Sequence, residues 1–101
     1  MTFAEFNLSV AGAATVPPAG LSGAAVALWY DARGNWDAAH AAAQADKSKA
    51  GSWVHAYLHR KEGDSANAGY WYSLAGQRMP TDDGVTLAVE WEQIARALVS
   101  A

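Results

Sequence analysis

This chain has no cysteine, which excludes disulfide staples and thiolate metal ligands. Charge is scarce as well: 17% of the 101 residues are charged, with ten acidic against seven basic. The resulting net charge of −3 and pI near 5.4 provide no electrostatic footprint for nucleic-acid phosphates or an anionic membrane surface. The one basic cluster is His59-Arg60-Lys61. No apolar run approaches the ~20 residues of a membrane-spanning helix. Nor is there a glycine-rich phosphate loop or an HExxH zinc-protease motif. Ala11–Ala14 offers small residues like those before a signal cleavage site, but no Lys or Arg precedes Arg33 and Glu5 interrupts the opening segment. A secretory leader needs a positive start and an unbroken apolar stretch, so a cytoplasmic protein is expected.

What the chain does have is apolar content, 51% by residue type, enough for a single globular domain over 1–101. Its punctuation is that of helices. Thr2 and Glu5 form a potential capping box, which admits a short helix over Phe3–Val10. The rest of segment 1–20 reads as loop, stiffened by Pro17-Pro18. Leu21–Arg33, with Ser22 as cap and Leu21, Ala25, Leu28 and Trp29 on one face, predicts the next helix. Gly34 ends it, and Asn35 caps an alanine-rich helix from Trp36 to about Asp46. Lys47–Gly51 reads as a polar link.

The stretch Ser52–Gly76 dominates the sequence, with three of the four Tyr and two of the three His. Ser52 is the expected cap of a helix from Trp53 to Glu62, Gly63 a left-handed terminator, and Asp64 the cap of a second helix ending at Gly76. Pro80 bars its continuation. Beyond it, Thr81-Asp82-Asp83 predicts the start of a last helix over 82–100, with Gly84 in its first turn. Leu87, Trp91, Ile94, Ala95 and Leu98 form its apolar stripe, and Glu92 and Arg96 pair on its wet side. The predicted fold is all-α: antiparallel αα-hairpins over 21–46 and 52–76, a C-terminal capping helix, and a short N-terminal helix.

Counted from Gly63, Ala68 is five residues on, Tyr72 nine, Ala75 twelve and Pro80 seventeen, while Ala56 lies seven before. The unit over 52–80 therefore resembles a tetratricopeptide-like or Sel1-like hairpin repeat. The turn at Gly34 echoes it weakly, with Ala39 five residues after the glycine and Tyr30 four before, as His59 is to Gly63. The offset is 29 residues (63 − 34), shorter than the family's 34, and Ala43 stands where the aromatic of the second helix would be. The resemblance implies a packing mode and a concave groove that takes peptides.

Two sets of residues are candidates for function. Trp53, Tyr57, Arg60 and Lys61 follow a helical stripe on the first helix of the second hairpin. In proteins this hairpin resembles, that stripe faces the groove. Two amphipathic aromatics and a guanidinium suit a protein or peptide ligand, with Leu28 and Asp31 flanking. Alternatively, His55 and His59, spaced i and i+4, share a helix face that can chelate a divalent metal, and His40 can approach from the first hairpin. Packing between helices is the expected role of these histidines, and a metal site or small enzyme the alternative. The reading favoured by sequence is a non-enzymatic binding or scaffolding module without cofactor, binding a protein or peptide of unspecified identity. Consecutive Tyr70-Trp71-Tyr72 cannot all face one direction, which leaves room for a homodimer.

Overall fold

The computed structural model of the protein describes residues 1–81 and 84–99. Six helices follow one another: α1 Phe3–Ala11, α2 Gly23–Ala32, α3 Trp36–Ala45, α4 Lys49–Lys61, α5 Ser65–Ala75 and α6 Leu87–Leu98. Among the described residues there is no strand. Each helix opens the same way. Thr2, Ser22, Asn35, Ser48, Asp64 and Thr86 each turn a side-chain oxygen onto the backbone N–H three residues ahead. An N-cap of this kind contributes about 1 kcal/mol by satisfying a donor that the helix itself leaves unpaired. At Thr2 the Glu5 side chain returns the bond, completing the capping box.

The helices pair as αα-hairpins, α2 with α3 and α4 with α5. Gly63 makes the second turn at φ +87°, a left-handed conformation that a side chain resists. Helix α4 is the hub and packs against α2, α3, α5 and α6. The main core gathers around it from Phe6, Leu28, Trp29, Val54, Leu58 and Ile94. Ala39 and Ala43 are the buried residues of α3, and their small size lets that helix lie close to its neighbours. A smaller cluster joins Ala56, Ala68 and Tyr72, so three of the positions behind the repeat resemblance pack on one another.

Helix α6 closes the stack. Trp91 stacks on Phe6 with 5.9 Å between ring centroids and donates its indole N–H to the Leu28 carbonyl at 3.1 Å. Glu90, 1% exposed, accepts from the Arg60 guanidinium at 2.8 Å and from the Tyr72 hydroxyl at 2.6 Å. Arg60 also donates to the Val85 carbonyl. A single buried carboxylate thereby ties α6 to both helices of the second hairpin.

Two sequence expectations need correction. Helix α4 starts at Lys49 under the Ser48 hydroxyl, so Lys47–Gly51 is largely its first turn and Ser52 lies inside it. Gly51 is there because α4 crosses the end of α3: a Cβ at this position would overlap the Asp46 carbonyl oxygen. Helix α6 begins at Leu87 under Thr86, and Gly84 lies outside it at φ +99°. The expected cap residues Asp82 and Asp83, and the helix end at residue 100, fall outside the described residues. Arg60 pairs with Glu90 of α6, while Asp64, four residues on, caps α5.

Candidate functional site

The stripe Trp53, Tyr57, Arg60 and Lys61 does not present one open face. Trp53 is half-buried and packs against both clusters, and Tyr57 is 2% exposed. The Tyr57 hydroxyl donates to Asp31 at 2.9 Å, and the Lys61 ammonium donates to the other oxygen of the same carboxylate at 2.8 Å. Burial, followed by the Asp31 charge, pushes the Tyr57 phenol far above its ordinary range, so it stays protonated and donates to Asp31. Arg60 is spent on Glu90, with its shaft under α6. What opens beside this stripe is a cleft of about 360 Å3, with Tyr57, Asp31 and Lys61 among its lining and Trp91, Leu87 and Val10 as apolar walls. Trp53 and Arg60 do not line it.

The three histidines converge. His55 and His59, one turn apart on α4, stack at 4.8 Å between ring centroids. His40 on α3 meets them edge-on, at 4.7 Å from His55 and 5.3 Å from His59. One ring nitrogen from each comes within 4.8 Å of the other two, and His40 Nε2 lies 3.0 Å from His55 Nε2. His55 and His59 are buried, at 3% and 6% exposed, and His40 is half-buried.

Aromatic rings hold the trio in place. Trp36, one turn before His40, stacks on it at 4.8 Å and 12°. Trp71 of α5 lies on His55 at 3.9 Å and 24°. The Trp36 indole N–H donates to the Leu58 carbonyl at 3.3 Å, which fixes that ring against α4. Glu62, the C-cap of α4, sits 2.5 Å from His59 Nδ1. A carboxylate at Nδ1 draws the ring proton there and leaves Nε2 of a neutral ring as the free lone pair. Burial, then the neighbouring imidazoles His40 and His59, with Lys47 adding a smaller push, hold His55 down to a pKa of about 4. At neutral pH, His55 is therefore an uncharged imidazole, the protonation state a metal requires of it.

Sequence spacing identified His55 and His59 as face-sharing, and His40 as a third candidate. Glu62, three residues beyond His59, is a local neighbour in sequence as well, whereas the two indoles enter the site only through the fold. In comparisons with protein-family models, curated proteins and solved structures, nothing matches this chain.

Proposed function

We propose that this chain is a metal-binding helical protein whose ion, zinc or a neighbouring divalent transition metal, is held by His40, His55 and His59. The observation that carries this is the convergence of three ring nitrogens, all within 4.8 Å of one another, at the junction of α3 and α4. Zinc bound tetrahedrally at about 2.0–2.1 Å from nitrogen separates its ligand atoms by about 3.3 Å. The 3.0 Å between His40 and His55 is already close to that spacing. Imidazole donors suit zinc, copper, nickel and iron, and poorly suit calcium or magnesium. The carboxylate–imidazole pair Glu62–His59 is the outer-shell arrangement that orients a histidine ligand. The ordinary role of such histidines, packing between helices, leaves unexplained why three donors turn toward one another instead of toward carbonyls or hydroxyls.

Calorimetric titration of tag-free protein with zinc tests the proposal. The expected outcome is one site per chain at micromolar affinity or tighter, abolished in His55→Gln and His40→Gln. Glu62→Gln is expected to weaken it about 10–100-fold, the cost of losing an outer-shell partner. Circular dichroism of each variant separates lost ligands from lost folding. Absence of stoichiometric binding to the native chain refutes the proposal.

A second reading rests on the cleft beside Tyr57. A protein or peptide segment with an apolar side chain against Trp91 and an acceptor toward Lys61 fits its lining. Lys61→Ala and Asn7→Ala are the variants that test it, by their effect on binding of a peptide selected against the native chain.

A further inference from the structure

We infer that the ion held by His40, His55 and His59 keeps one coordination position for a small anion of carboxylate or carbonate size, admitted beside His55. This rests on the metal reading above. Zinc-type ions take four ligands in protein sites, and a site with three protein donors leaves the fourth to water or a solute. The histidines supply three. Among the described residues no further His, Asp or Glu brings a donor atom within the same 4.8 Å of all three, and the chain has no cysteine. Glu62 cannot move in as the fourth ligand without abandoning His59 Nδ1, which it already engages.

A cavity reaches one member of the trio. His55 is common to the trio and to a cavity of about 270 Å3 between the end of α3, the start of α4 and α5. Trp71, Ser52, Ser48 and Lys47 also line that cavity. Its size admits water or a two- or three-oxygen anion. Its electrostatics favour anions. Lys47 lends one of its ammonium protons to the Gln44 carbonyl at 2.9 Å, which leaves two others free. Lys49 stands on the same rim. The acidic group of the cavity, Asp46, is already occupied: Oδ2 accepts the Ala24 amide, and Oδ1 accepts both the amide and the hydroxyl of Ser48. The cavity also opens at the first turn of α4, the positive end of that helix.

Cobalt(II) substituted for zinc reports the fourth ligand through its visible absorption, and azide and acetate are the probes. The expected result is a saturable change in the cobalt bands as azide, and then acetate, is added at millimolar concentrations. At saturating cobalt, Lys47→Ala is expected to weaken azide binding about fivefold, the Coulomb contribution of one nearby solvated charge. A cobalt protein whose spectrum ignores both anions has a closed, four-ligand site; that outcome overturns the inference while leaving the metal proposal standing. A chain that takes up no cobalt overturns both. A response to azide that Lys47→Ala leaves unaltered removes the cavity as the route of entry.

Discussion

Glu90 shows what a single side chain does in this fold. It is 1% exposed and sits within the apolar face of α6, yet both its oxygens are satisfied, by Arg60 and by Tyr72. A buried ion pair can be a weak net stabiliser, but breaking one by removing a single partner strands a charge out of water. Glu90→Ala leaves the Arg60 guanidinium, with 13% of its side chain exposed, facing a hole. The expected loss is about 3–5 kcal/mol in urea unfolding. Tyr72→Phe deletes only a hydrogen bond to a charged acceptor, worth about 1.5–3 kcal/mol. If Glu90→Ala costs no more than Tyr72→Phe, the carboxylate is not the clamp between α6 and the second hairpin. Glu90 falls on the helical stripe, three residues after Leu87 and four before Ile94, but a buried carboxylate there could not be read in advance because its partners lie 30 and 18 residues away.

At the scale of the element, two helical glycines have opposite reasons for being there. In α4, a Cβ at Gly51 would strike the backbone of Asp46, which cannot yield as a flexible side-chain end can. In α5, a Cβ at Gly69 meets nothing nearer than the Met79 sulfur at 4.0 Å. Gly69→Ala is therefore expected to stabilise the protein by about 0.4–1 kcal/mol, by restricting the unfolded chain and improving helix propensity. Gly51→Ala is expected to destabilise it by about 1–3 kcal/mol, the cost of forcing an extra carbon into a packed contact. Thermal unfolding of the two variants should move in opposite directions, and a stabilised Gly51→Ala would mean that α3 and α4 do not cross as closely as described. The same contrast explains which elements could be read in advance. The caps at Ser22, Asn35 and Asp64 and the turn at Gly63 were legible because each signal lies within three or four residues of what it controls. The start of α4 was not, because Gly51 looks like a helix breaker until the end of α3 at Asp46 is seen to turn back against it. The histidine site was half legible for the same reason. The i,i+4 spacing of His55 and His59 is local, whereas the approach of His40 and the stacking of Trp71 depend on how α3 and α5 flank α4.

For the whole molecule, the consequence of this arrangement is sensitivity to acid. Helix α4 touches four other helices, and His55 is buried at its contact with α3 and α5, so charging that ring opposes the packing of the hub itself. The titration of His55 is displaced down to about 4, by burial first and then by the neighbouring rings His40 and His59. In the unfolded chain a histidine titrates near 6.5. Between those values the unfolded chain binds a proton that the folded chain refuses, so stability rises with pH across the interval and is lost as pH falls from about 6.5 to about 4. Below that interval both states carry the proton and this contribution is flat. The difference amounts to at most about 3 kcal/mol, a large share of the 5–15 kcal/mol typical of a domain. Asp46 acts in a lower window. Its carboxyl is held below the usual range, chiefly by the Ser48 hydroxyl, and its contribution is lost as pH falls from the ordinary carboxylate range through that depressed value. Urea unfolding of chelator-treated protein at intervals from pH 7 to pH 4 should therefore show a decline that begins near 6.5, well above the range where carboxylates protonate. His55→Gln, which keeps a neutral polar side chain of similar reach, should flatten that part of the profile and leave the lower-pH decline in place. A native profile that is level between pH 6.5 and pH 4.5 would show that His55 takes its proton as easily folded as unfolded, and that it is not the buried, neutral imidazole on which a metal could be assembled.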